Sequence, residues 1–280
     1  MAMAAPVEKP ASRGALRLKL GSLYFTGKRY LRWLFGGINY AERPKAREDI
    51  LPFTVATHAT PLLRKLKAVD MALQYNKITN LRLAAARLNG VILEPGQTFS
   101  YWKLIGKPTR RKGYLEGMVL QSGTVRAGIG GGLCQLSNLA YWLTIHTPLT
   151  VVERYRHGYD VFPDSNRTQP FGSGATCFYN YGDLAIKNNT LDRWQLNVRV
   201  TETELEAEWR CSRRPDYSYQ VYEKEHLLRG EAWGGYTRHN LLHRKKLSPD
   251  GTLLADEFVV ENHAIMMYQP FLHAPSSPKE

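Results

Sequence analysis

Cysteine is scarce in this sequence. Only Cys134, Cys177 and Cys211 occur among 280 residues, far apart and without CxxC spacing, which argues against a zinc ribbon or a disulfide framework. A reducing, cytoplasmic compartment fits that usage. Acidic residues are outnumbered: 25 Asp and Glu face 38 Lys and Arg, and the net charge of +13 favours acidic partners such as nucleic acid, anionic lipid or an anionic envelope polymer. No run of about 18 apolar residues is present, so no conventional transmembrane helix is expected. The N-terminus lacks the apolar core and the cleavage site of a secretory signal peptide. Nucleic-acid motifs are missing and the bases are dispersed, which makes nucleic acid the weakest of the partner classes.

What is present is a globular composition, 43% hydrophobic, and one stretch that stands out. From Gly130 to His157 a triple glycine leads into Cys134, which opens an apolar helical run, and a histidine follows about two dozen residues later. A cysteine in the first turn of a helix sits among free N–H groups at the positive end of the dipole, where a thiolate is favoured. Gly130, Gly131 and Gly132 would let the backbone approach a substrate closely. Cys134 and His157 then read as nucleophile and general base. Gln135 is a candidate oxyanion donor, Ser137 and Asn138 would line the pocket one turn on, and Arg154 adds a cation to the substrate-binding set. The alternatives are a cysteine that fills a packed glycine corner as a small hydrophobe, and Glu153 with Arg154 as a structural ion pair. The triple glycine lacks the Lys-Ser/Thr continuation of a P-loop, and one cysteine with histidines at no recognised spacing does not make a zinc site. No cofactor or metal is expected.

The rest of the chain reads as an α+β protein: a mixed α/β core with a buried central helix after the Gly-rich loop, followed by a strand-rich C-terminal region. Residues 1–50 form a basic amphipathic segment, 51–205 the α/β domain and 206–280 the strand-rich region. Residues 1–12 read as disordered. Arg13 to Gly37 mixes bases with large apolar residues, which suits either an anionic membrane surface or packing on the main domain. Gly21 and Gly27 interrupt a long helix there. Leu62 to Tyr75 and Asn80 to Asn89 read as two helices, the second capped by Asn80. Later strands are expected at ATCFYN, DLAIKNN, Trp194 to Thr201, Leu205 to Cys211 and Tyr217 to His226, with a final hairpin around Pro249 to Gly251.

The run GGGLCQLSNLAYWLTIHTPLTVVERYRHG, preceded by EPGQTFSYW and GYLEGMVLQSG and followed by GATCFYNYGDLAIKNNT, resembles the VanW family, accessory proteins found with vancomycin resistance genes. The likeness runs from about Asn80 to Thr190, with four blocks in the family's order. It implies a role in glycopeptide resistance and at the cell envelope. On that basis the chain is expected to be a Cys-dependent hydrolase or acyltransferase for a peptidoglycan-related precursor or peptide, or else a non-enzymatic module that binds envelope intermediates or partner proteins. The expected location is cytoplasmic, peripheral at the inner face of the membrane. One departure bears on the site: the family's pattern places an aspartate where this chain has Gly174, which implies that Asp160, Asp164 or Asp183 serves as the acidic partner, that the aspartate has no essential role, or that this copy has lost activity.

Overall fold

A computed structural model describes residues 14–44, 49–63, 70–121, 123–161 and 169–270. The expected disorder of residues 1–12, the candidate Asp164 and residues 64–69 of the first expected core helix lie outside them. In chain order the elements are helix α1 (Ala15–Phe35), strand β1 (Phe53–Pro61), helix α2 (Met71–Leu88), strands β2 (Val91–Leu93) and β3 (Thr98–Ser100), helix α3 (Tyr101–Ile105), and hairpin β4 (Glu116–Gln121) with β5 (Thr124–Ile129). Helix α4 (Cys134–Thr144) follows, then strands β6 (Thr150–Glu153), β7 (Tyr159–Asp160), β8 (Ala185–Lys187), β9 (Trp194–Val200) and β10 (Glu204–Cys211). Three long strands close the chain: β11 (Ser218–Gly230), β12 (Tyr236–Leu247) and β13 (Leu253–Met266). The protein has the expected α+β architecture.

One sheet runs β1-β10-β9-β2 and a second β11-β12-β13-β7, with β7 parallel to β13. A third, smaller sheet runs β3-β8-β6. The expected boundary at 205/206 falls inside β10, which pairs with β1 on one side and β9 on the other. Alternation along β10 explains the placement: Leu205, Ala207, Trp209 and Cys211 point into the core and the residues between them face outward. Helix α4 is central as anticipated, since Leu136, Leu139, Ala140, Tyr141 and Leu143 leave almost no surface to solvent. Trp209 donates to Thr144 Oγ1 at 3.0 Å and ties β10 to the end of that helix.

Three local readings change. Helix α1 continues through Gly21 and Gly27 and stops at Gly36; neither interior glycine takes a positive φ, and a Cβ at either would meet nothing within 4 Å. Helix α2 is a single helix through residues 76–79, capped by Asp70, whose side chain accepts from Ala72 N at 2.8 Å. Asn80 lies inside it, fully buried. The ATCFYN segment makes only isolated bridges, Tyr155 with Thr176 and Phe178 with Gly182, in place of a strand.

Candidate functional site

The glycine corner is a crossing of two backbones. Hairpin β4–β5 brings Gly117 against Gly131 so closely that a Cβ on Gly131 would overlap the Gly117 carbonyl. Gly130 and Gly132 take φ of 74° and 90°, and Cβ atoms there would strike Pro108 and Lys77. Protein atoms thus fill the space on the Cβ side of Gly130, Gly131 and Gly132, while Gly132 remains partly exposed. Buried Asn80 pins the corner: its Nδ2 donates to Leu115 O at 3.0 Å and to Gly131 O at 2.9 Å, and its Oδ1 accepts from Leu115 N at 2.8 Å. Sequence reasoning gave Asn80 a capping role; its partners lie 35 and 51 residues away, beyond any local signal.

Cys134 does begin α4, yet the dipole does not decide its protonation. Part of the residue reaches the surface, but the sulfur is densely surrounded, and burial pushes the thiol above its ordinary pKa. Its hydrogen bond goes to the Cys177 carbonyl at 3.8 Å. His157 contacts the residues on either side of Cys177: its ring packs edge-on against Phe178 with centroids 5.9 Å apart, and its backbone N–H donates to Thr176 Oγ1. Burial, and secondarily Arg156, lowers the His157 pKa. No hydrogen bond joins the thiol to the imidazole.

The other candidates are engaged in holding loops. Gln135 donates to Thr60 Oγ1 and Pro61 O, each at 2.9 Å, and fastens α4 to β1. Ser137 donates to Ala175 O at 2.7 Å, while Asn138 Oδ1 accepts from Ala175 N at 2.9 Å. Gly174 makes room for that contact, because a Cβ there would sit 2.5 Å from Asn138 Oδ1. Arg154 donates to the carbonyls of Gly174 and Gly172 and to Asn262 Oδ1, and its guanidinium lies 4.5 Å from the Tyr141 ring centroid. The anticipated Glu153–Arg154 pair does not form: Glu153 is taken by Arg29 and Arg32, and Arg154 by the carbonyls of Gly172 and Gly174. Asp160 pairs with Arg238 at 3.4 Å and accepts from Tyr268 at 2.9 Å.

Asp183 is fully buried in a different setting, accepting from Ser100 Oγ and from the backbone N–H groups of Trp102 and Leu184. Desolvation outweighs these bonds and Arg29, and raises its pKa to about 7. It borders a cleft of about 350 Å³ lined by Arg29, Arg32, Tyr40, Glu153 and Lys187. Here Glu153 accepts from Arg29 through both oxygens and from Arg32 at 2.9 Å. Burial disfavours the Arg29 charge, but the bond to Glu153 and the attraction of Asp183 outweigh it and raise its pKa. Composition signals a basic N-terminus but not the acid that holds it. Among the described residues no group of three or more His, Cys, Asp and Glu side chains is arranged to hold a metal ion.

A family model described as VanW like protein matches residues 76–210, a span from within α2 into β10 that contains the glycine corner and the Glu153, Asp183 and Lys187 side of the cleft, while Arg29, Arg32 and Tyr40 lie outside it. The Vancomycin B-type resistance protein VanW of Enterococcus faecalis is 32% identical over 192 residues, 69% of each chain. This chain belongs to the VanW family. It is also similar to YoaR, an uncharacterized protein of Bacillus subtilis, at 33% identity over 39% of this chain and 34% of that one. No solved structure gives a significant match. The VanW match ends with β10, so the sheet β1-β10-β9-β2 is where the family region closes.

Proposed function

We propose that this VanW family member acts in glycopeptide resistance as a non-catalytic accessory module of the cell envelope, binding envelope intermediates or partner proteins without turning them over. The resistance context rests on its likeness to the Vancomycin B-type resistance protein. The observation that carries the non-catalytic reading is the state of Cys134, a thiol kept protonated by burial and bonded to the Cys177 carbonyl. A nucleophile needs a lowered pKa or a base hydrogen-bonded to it; burial raises this thiol's pKa, and its hydrogen bond goes to a carbonyl in place of the imidazole. The Cys-dependent hydrolase or acyltransferase suggested by spacing therefore draws less support from the geometry. With the glycine corner filled, the polar cleft beside Arg32, Glu153 and Lys187 is the surface offered for binding.

The test replaces the gene by Cys134→Ser or His157→Ala variants in a resistant host and measures glycopeptide susceptibility. Both folded variants are expected to protect as the wild type does. Loss of protection equal to deletion, with thermal stability unchanged, would overturn the reading.

A further inference from the structure

Helix α1 is mounted with its polar side inward. Ser22, Thr26, Arg29 and Trp33, spaced four, three and four residues apart, make one stripe that is buried or half-buried against the domain. Arg29 and Arg32 bind Glu153, Arg29 also donates to Tyr181 O at 3.0 Å, and the hydroxyls of Tyr30 and Tyr179 meet at 2.7 Å. Leu16, Leu20, Leu23, Leu31 and Leu34 fall on an arc of roughly 80° at 100° per residue, turned away from that stripe. Their exposure runs from 58% at Leu20 to 72% at Leu34. The helix cannot roll these leucines onto the domain without pulling Arg29 from Glu153.

Charge identifies what covers the leucines. Within Ala15–Phe35 there are bases at Arg17, Lys19, Lys28, Arg29 and Arg32 and no acid. On the helix circumference Lys19 borders one edge of the leucine arc, and Arg17 and Lys28 border the other. A leucine arc flanked by cations is the layout of a helix lying in the plane of an anionic bilayer, its apolar side among the acyl chains and its bases at the headgroups. A second copy of α1 laid on the arc would bring like charges together along both edges. No helix among the described residues is long and apolar enough to cross a membrane.

We infer that α1 is an in-plane anchor that docks the protein on an anionic lipid surface through the leucine arc, while the Arg29–Glu153 clamp fixes how the domain sits above it. The inference is independent of the reading of Cys134.

The test is co-sedimentation of the full chain with vesicles of phosphatidylcholine containing phosphatidylglycerol, and with phosphatidylcholine alone. Wild type is expected to bind the anionic vesicles, to bind the neutral ones at least tenfold more weakly, and to release as salt is raised. Leu20→Glu/Leu31→Glu, two outward positions, is expected to bind anionic vesicles at least tenfold more weakly with its thermal midpoint unchanged. Arg17→Gln/Lys28→Gln is expected to weaken binding to anionic vesicles only. Absent wild-type binding, or equal binding by the leucine variant, would overturn the inference. So would a dimer in sedimentation that the leucine variant dissociates while vesicles are not bound, which would assign the arc to a second copy.

Discussion

Arg29 on α1 and Glu153 at the end of β6 form a two-pronged ion pair across 124 residues of chain, with only 7% and 10% of their side chains exposed. Asp183, 4.0 Å from Arg29 Nη1 and donating its backbone N–H to Glu153 Oε1 at 3.3 Å, adds a second acid beside the first. The pair joins the basic N-terminal helix to the part of the chain that carries the family match, so it couples α1 to the core.

Removing one partner should cost more than the pair itself is worth, because the other charge stays buried. Glu153→Ala is expected to lower unfolding stability by about 3 kcal/mol. It should also speed protease cleavage within α1. Urea midpoints and a timed digest check both effects; an unchanged midpoint with α1 still protected would contradict the clamp.

Two glycine substitutions should move stability in opposite directions. Gly131→Ala drives a methyl into the Gly117 backbone, which has no rotamer to give, and is expected to destabilise by about 3 kcal/mol. Gly21→Ala adds a methyl where nothing lies within 4 Å and is expected to stabilise α1 by about 0.5 to 1 kcal/mol. Thermal midpoints of the two variants decide the matter, and a shift of the same sign in both would contradict the packing described.

Asp183 predicts a pH dependence. Its folded pKa of about 7 lies above the unfolded value of 3.8, so the folded state holds more protons between those limits. Stability from this group is complete below about pH 4 and is lost as pH rises toward 7, by at most about 1.4 kcal/mol per unit. His58, His146 and His157 act oppositely: burial lowers their folded pKa values, so their contribution is lost as pH falls below about 6.5. Asp183→Asn keeps an acceptor for Trp102 N and Leu184 N but cannot ionise. Its stability advantage over wild type should therefore grow from pH 4 to 7 and then level off, with the histidine terms cancelling. Urea titrations across that range provide the check; a constant difference would contradict the buried acid.

The sequence disclosed what is local or periodic. The alternation along β10, the apolar surround of α4 and the turn at Gly96 (φ 79°) all follow from neighbouring residues. It concealed what depends on distant partners. Asn80 looks like a cap because asparagine favours caps, yet its amide is claimed by Leu115 and Gly131. Helix α1 passes through two glycines because Arg29 finds Glu153 elsewhere in the chain, and tertiary contacts override propensity. The first-turn position of Cys134 was legible, but the density of atoms around its sulfur, which decides its chemistry, was not.

That sulfur gives the most direct test of the functional account. The alkylation rate of Cys134, followed by peptide mass spectrometry as a function of pH, should still be rising above the free-thiol pKa of about 8.5 and should be unaffected by His157→Ala. A rate that reaches its plateau below about pH 7.5, and that falls when His157 is removed, would show an activated thiolate and contradict the non-catalytic reading.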